Sequence, residues 1–88
     1  MDLQQVQRQI RSTDVEQVLL LAHAEGGQAK PSQIKEEISD ESGGFATAEA
    51  SQQLRDLGLA RQETSLAGEV TLTGDGKRLA ERIQQSRL

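Results

Sequence analysis

The sequence predicts a small α+β fold that is mainly helical and contains one antiparallel β-hairpin. Apolar residues recur at helical spacing in successive segments, and glycines follow directly after two of them, where helices commonly end. Before the last helical segment, residues 59–73 have the composition of two short strands joined by a glycine-containing turn. The chain has 88 residues and Phe45 is its only aromatic residue, so we expect one domain with an aliphatic core.

Residues 1–12 are predicted to form an N-terminal arm or short helix that precedes a domain over residues 13–88. Leu3, Val6 and Ile10 form a narrow apolar stripe in a glutamine-rich stretch, which is typical of a segment that packs on another surface. A small aliphatic core also gains stability when a second copy completes it. Apolar residues near both ends of the chain therefore predict a homodimer, with contacts through Leu3, Val6, Ile10, Leu20 and Ile83.

The first helix of the domain is predicted over residues 14–25. Thr13 as N-cap and Glu16 three residues later form the capping-box pattern, and Gly26-Gly27 is expected to end the helix. Its apolar face consists of Val15, Val18, Leu19 and Ala22. Leu20 points away from this face, and two interpretations stay open: the N-terminal arm covers it, or it is a dimer contact.

Two further helices are predicted before the hairpin. Residues 31–40 form a short helix with Pro31 in its first turn, and a glycine-containing loop follows at residues 41–44. Thr47 is expected to cap the next helix, and Gly58 stands where a left-handed residue ends a helix. The apolar positions of these two helices are Ile34, Ile38, Ala50, Leu54 and Leu57.

The last part of the chain is predicted to be a hairpin and a closing helix. The two arms of the hairpin, on either side of Ala67-Gly68, are residues 59–66 and 69–73. The closing helix spans residues 75–85. Gly74 and Gly76 are expected to let the backbone turn sharply from the second arm into this helix.

Charge and composition exclude several classes of protein. The net charge of −4 argues against a protein that coats nucleic acid non-specifically, because that affinity comes from cations that neutralise phosphates. The charge is uneven: residues 1–76 hold six Lys/Arg and thirteen Asp/Glu, whereas residues 77–88 hold four and one. The longest apolar run, residues 18–22, is far shorter than the ~20 residues that cross a bilayer, and the chain has no cysteine. We expect a cytoplasmic protein without membrane contact.

The sequence contains no constellation of catalytic residues. The chain has one histidine, His23, and no cysteine. The usual zinc sites, which combine several of these two residue types, are therefore excluded. Residues 74–77, GDGK, complete neither of the glycine-rich phosphate motifs, because Leu79 stands where one of them needs its third glycine. The expectation is a protein that is not an enzyme and needs no metal or other cofactor.

Two passages of the sequence resemble winged helix-turn-helix regulators of the MarR and PadR types. Residues 54–61, LRDLGLAR, lead into the predicted hairpin, and residues 72–80, LTGDGKRLA, lead out of it, as in those families. The resemblance covers about residues 13–83. It implies a three-helix core, a two-stranded β-hairpin wing and a C-terminal helix, and it makes residues 13–88 the winged-helix domain.

The same resemblance implies a transcriptional regulator that binds double-stranded DNA as a homodimer. In such families the third helix of the domain enters the major groove, and here its outer face would contact bases through Ser51, Gln52 and Arg55. Phosphate contacts would come from Lys30, Ser32, Lys35 and Arg61. No cofactor is implied.

An alternative function stays open because acidic residues surround these positions. The predicted wing carries Glu63 and Glu69, and it has no lysine or arginine after Arg61, although wings of these families usually have a basic tip. A winged-helix module for protein–protein interaction, or an accessory subunit without DNA binding, would fit the acidic balance.

Overall fold

A computed structural model of the chain describes residues 2–37, 45–63 and 69–87. In chain order the described elements are α1 (Leu3–Ile10), α2 (Asp14–Ala24), β1 (Gln28–Ala29), α3 (Pro31–Glu37), α4 (Phe45–Asp56), β2 (Val70–Thr71) and α5 (Gly74–Ser86). The predicted class, α+β and mainly helical, is confirmed. None of the described helices has the length and apolar character needed to cross a bilayer.

The N-terminal segment forms helix α1, which packs on the rest of the chain. Asp2 caps it, since the carboxylate oxygen Oδ1 accepts hydrogen bonds from the N–H groups of Gln4 at 3.1 Å and Gln5 at 3.4 Å. The apolar stripe faces inward: Val6 and Ile10 are buried, and α1 contacts both α2 and α5. The stripe is therefore covered by the chain itself.

Helix α2 has the predicted position, but its N-terminus differs from the predicted capping box. The hydroxyl of Thr13 donates to the carbonyl oxygen of Ile10 at 2.6 Å and caps no N–H group of α2. Glu16 is 4% exposed and forms an ion pair with Arg87, at the end of α5. Thr13 is the N-cap residue as predicted, but the side-chain bonds of a capping box are not formed, since the carboxylate of Glu16 is bonded to Arg87 instead.

Two helices end in the same glycine-containing turn, as predicted. After α2, Gly26 has φ +85° and the N–H of Gly27 donates to the carbonyl oxygen of Ala22 at 2.8 Å. After α4, Gly58 has φ +77° and the N–H of Leu59 donates to Leu54 at 2.9 Å. These are Schellman motifs, in which a glycine takes the left-handed conformation that other residues adopt only with strain.

Helices α3 and α4 follow the prediction in part. Pro31 is the first residue of α3, and Ile34 is fully buried. The predicted continuation of this helix to residue 40 and the loop at residues 41–44 lie outside the described residues. Helix α4 begins at Phe45, so Thr47 lies inside the first turn and the prediction that it is the N-cap is wrong.

The sheet pairs segments that are far apart in the sequence. β1 and β2 are antiparallel, with Gln28 opposite Thr71, and Leu72 also forms an antiparallel bridge with Ala60. The N–H of Arg61 donates to the carbonyl oxygen of Thr71 at 2.8 Å. The segment containing β2 thus lies between β1 and the chain that leaves α4. The two predicted hairpin arms do meet, at Ala60 and Leu72, but β1 was not predicted, and the hairpin tip at residues 64–68 lies outside the described residues.

Helix α5 begins at a crowded junction with the end of α4. Thr73 caps it, accepting from the N–H of Gly76 at 3.2 Å and donating to the carbonyl oxygen of Gly58 at 2.7 Å. Gly74 and Gly76 are helical residues and have no positive φ, so the prediction that they turn the backbone sharply is wrong. Gly76 serves close packing instead, because a Cβ there would lie 2.1 Å from the carbonyl oxygen of Leu59.

One aliphatic core joins all these elements. It includes Val6, Ile10 and Ile83, three of the five residues predicted as dimer contacts. These three offer no surface to a second copy in this conformation, because α1 and α5 cover one another's apolar faces. The other two, Leu3 and Leu20, are partly buried against the core and keep part of their surface exposed.

Candidate nucleic-acid interface on helix α4

Helix α4 packs chiefly against α2 and leaves its opposite side to solvent. Ala50 and Leu54 are buried against the core, whereas Ala48, Gln52 and Asp56 are exposed. At about 100° per residue, these three positions lie on the side of the helix opposite Ala50 and Leu54. We call the surface formed by Ala48, Gln52, Arg55 and Asp56 the outer face of α4.

Ser51, predicted to contact bases, does not belong to the outer face. It is 1% exposed, so its side chain cannot reach a base while the helix stays packed. The prediction failed because Ser51 lies about 100° around the helix from Ala50, at the margin of the apolar face. A helix that packs broadly on a neighbour buries such marginal positions as well.

Gln52 and Arg55 are placed on the outer face as predicted, in a short chain of hydrogen bonds. The side-chain amide of Gln52 donates to a carboxylate oxygen of Asp56 at 2.9 Å, and the guanidinium of Arg55 donates to the amide oxygen of Gln52 at 3.5 Å. Gln62 donates to the backbone carbonyl of Arg55 at 2.9 Å. To bond to a base, Gln52 must give up its hydrogen bond to Asp56. Contact with DNA at this position therefore costs free energy for desolvation and for the lost hydrogen bond.

The predicted phosphate contacts lie at two separate places. Lys30 and Ser32 are exposed at the start of α3, and Arg61 is exposed beside the sheet; the side chain of Lys35 lies outside the described part. The N–H of Lys30 is already bonded to the side-chain oxygen of Gln33 at 2.8 Å. Gln33 is in turn bonded to the carboxylate of Glu25 at 3.1 Å, which brings a negative charge close to this helix start.

Glu69, which the sequence placed on the surface of the wing, is buried. It is 4% exposed and accepts hydrogen bonds from the side-chain amide of Gln28 at 2.7 Å and from the hydroxyl of Thr71 at 3.4 Å. The bond from Gln28 joins β1 to the residue that precedes β2, whereas the bond from Thr71 stays within the return segment. Glu69 therefore supports the sheet and does not face a DNA backbone. Sequence reasoning missed this because β1, which supplies Gln28, has no pattern of its own.

The described residues show no grouping that would hold a metal. No cluster of three or more histidine, cysteine, aspartate or glutamate side chains occurs among them, and His23 is half-buried near the end of α2.

Comparisons of the chain with models of protein families, with curated proteins and with solved structures find no match.

Proposed function

We propose that the chain is a winged helix-turn-helix domain that binds double-stranded DNA through the outer face of α4 and acts as a small transcriptional regulator. The observation that supports this most is the setting of α4. It is packed on α2 along one side, fixed at its end by the Schellman motif at Gly58, and carries Gln52 and Arg55 on the free side. A rigid helix with such side chains on its free side suits the major groove.

The order of elements also supports the winged-helix proposal. The order from α2 to α5 is a helix, a short strand (β1), two further helices (α3 and α4), a return strand (β2) and a closing helix. The bridge between Ala60 and Leu72 brings the chain after α4 alongside β2. The base of a wing would be formed by this pairing.

In this proposal, Gln52 and Arg55 make the sequence-specific contacts. Arginine binds guanine bidentately and glutamine binds adenine, and the small side chain of Ala48 lets the helix approach the base edges. Lys30, Ser32 and Arg61 would contact phosphates on either side.

The charges around α4 predict weak non-specific binding. On the described part of this surface, Lys30, Arg55 and Arg61 are opposed by Glu49, Asp56 and Glu63, all of which are at least partly exposed. Non-specific affinity increases with the number of phosphates that cations neutralise. Binding should therefore be confined to a preferred site and should depend only modestly on salt.

A homodimer is part of the proposal, since two symmetric copies would place two α4 helices in successive turns of the groove. Of the predicted dimer contacts, Leu3 and Leu20 are partly exposed, so a second copy would make contact through these two residues.

The decisive experiment is selection from a random DNA pool, followed by fluorescence anisotropy on the enriched site. Arg55→Ala is expected to lose roughly 1 to 3 kcal/mol at one base-pair position and to relax selectivity there. Gln52→Ala should behave alike at another position. Gln53→Ala is the matched control, because Gln53 is also exposed but lies about 100° further around α4.

One observation favours a second candidate function, a protein-interaction module. Asp56 is held against Gln52 on the outer face, where a negative charge opposes a phosphate backbone but suits a basic protein partner. If the DNA pool yields no enriched site even at low salt, and a partner protein is bound that Gln52→Ala releases and Gln53→Ala retains, the DNA-binding proposal fails and the interaction module replaces it.

A further inference from the structure

A polar cleft lies between the two terminal helices, away from α4. It has a volume of about 820 Å³, and its walls come from α1, the turn after α1, one residue of α2 and the last turns of α5. None of the described side chains of α3 and α4 lines it. A concavity of this size is in the range of clefts that hold small molecules.

Arginine dominates the lining of the cleft. Arg8 and Arg11 come from α1 and its C-cap, and Arg82 and Arg87 come from the end of α5. Among the residues that the structure describes, the cleft is lined by four basic side chains and one acidic side chain, Glu16. These described lining residues have a formal charge of +3, although the whole chain has a net charge of −4.

Three of these arginines form no ion pair within the described part of the chain. Arg87 is paired with Glu16, but among the residues that the structure describes no carboxylate lies within ion-pair distance of Arg8, Arg11 or Arg82. A cleft lined mainly by one sign of charge concentrates the electrostatic field and attracts ions of the opposite sign, here anions.

The backbone beside the arginines is strained as well. Ser12, which lines the cleft next to Arg11, has φ +62° and is the one non-glycine residue with positive φ in the described part of the chain. Strained residues of this kind concentrate where a binding site is held in shape. The turn that carries Arg11 is closed by the N–H of Thr13, which donates to the carbonyl oxygen of Ile10 at 3.1 Å.

We propose that this cleft binds a small polyanion, a molecule with two or more phosphate or carboxylate groups. A guanidinium group binds both kinds of oxyanion bidentately, and three unpaired guanidinium groups from two helices suit a ligand with several such groups. Amide side chains of Gln4, Gln7 and Gln85 also line the cleft and can donate to further oxygens. Because the ligand would join α1 to α5, its binding also stabilises the fold.

Isothermal titration calorimetry tests the proposal with two probes, sodium tripolyphosphate and sodium citrate, at matched ionic strength. We expect saturable binding of at least one probe, and the preferred probe tells whether phosphate or carboxylate is the ligand chemistry. Arg82→Gln and Arg8→Gln should each weaken binding roughly tenfold, since each removes a charge-assisted pair. Arg78→Gln is the matched control: it removes the same charge from the same helix, but Arg78 lies outside the cleft and pairs with Asp75 at 2.8 Å.

Two further measurements locate the binding site and check that each variant is folded. In amide NMR spectra, signals of Arg11, Ser12 and Gln85 should shift on titration while those of Gln52 and Arg55 stay in place. Thermal unfolding of each variant without ligand shows whether it is folded.

Three results would overturn the proposal. One is the absence of saturable binding for both probes. Another is equal weakening by Arg78→Gln and Arg82→Gln, which would mean general charge attraction. The third is a loss of duplex DNA affinity in Arg82→Gln while neither probe binds, which would make the cleft a nucleic-acid contact. The DNA-binding proposal for α4 is tested by different variants and stands or falls separately.

Discussion

Replacing Gly76 by alanine tests the closest contact in the fold. The new Cβ would lie 2.1 Å from the carbonyl oxygen of Leu59, 3.1 Å from its carbonyl carbon and 3.3 Å from the Cβ of Leu72. Two of these three neighbours are backbone atoms, so no side-chain rotation relieves the clash. The start of α5 must move away from the end of α4.

The cost follows from how far α5 has to move. Cβ atoms in real structures essentially never come within 3.0 Å of such a neighbour, so the separation must increase by about 1 Å in a close-packed interior. Overpacking of this kind costs about 1 to 3 kcal/mol, and the bond from the N–H of Thr73 to Leu59, 3.0 Å long, is stretched as well. Alanine regains up to about 1 kcal/mol through its helix propensity. The expected net loss is about 2 kcal/mol, or about 8 to 16 °C in Tm for a domain of this size.

Urea denaturation followed by circular dichroism measures this loss as a lower midpoint with an unchanged slope. Gly74→Ala is the control in the same helix turn, because its Cβ would meet only the end of the Arg78 side chain, at 3.8 Å. That variant should be as stable as the parent or slightly more stable. If Gly76→Ala keeps the parent's stability, or if both variants lose the same amount, the close-packing explanation for Gly76 is refuted.

The remaining predictions concern the core and the buried ion pair. Ile10→Ala should lower the free energy of unfolding by about 2 to 4 kcal/mol, as expected for a core position. Denaturation curves recorded at low and high protein concentration should show the same loss. A loss that grows with protein concentration would instead mark Ile10 as a dimer contact. Arg87→Ala should cost about 1 to 2 kcal/mol, because it leaves the carboxylate of Glu16 buried without its cation, although Arg87 itself is 57% exposed. Adding Glu16→Gln should recover part of that loss in a double-mutant cycle, and a double variant less stable than Arg87→Ala would contradict this account.

Local sequence signals predicted the helices and the C-terminal ends of α2 and α4 well, but not the capping bonds at the helix starts. Gly26 and Gly58 were predicted as helix ends, and both have the left-handed conformation there. This works because a Schellman motif depends on one residue that tolerates positive φ, and the requirement is visible in the sequence itself.

Features that depend on contacts between distant residues were not predictable in the same way. Thr13 and Glu16 satisfy the local capping pattern, yet Glu16 pairs with Arg87, 71 positions away. β1 has two residues and no alternation to detect, and it exists because β2 supplies its hydrogen bonds. Ser51 was misplaced because spacing gives the direction of an apolar face but not its width.

The two candidate sites also differ in how far the sequence alone predicts them. Gln52 and Arg55 were predicted because the exposed side of a helix follows from its periodicity. The arginine cleft was not predicted, although the excess of basic residues after position 76 was noticed, because its other half comes from α1. Only the packing of α1 against α5 brings Arg8 and Arg82 to one surface.

That packing also couples the stability of the two terminal helices. Val6 and Ile10 of α1 and Ile83 of α5 belong to the same core although they come from opposite ends of the sequence. Each of the two helices therefore buries the apolar face of the other. Loss of either one exposes apolar surface on the remaining one. The two terminal helices should therefore behave as a single cooperative unit in hydrogen exchange, with their amides protected and released together. A fragment that ends before α5 would leave the face of α1 uncovered and prone to self-association.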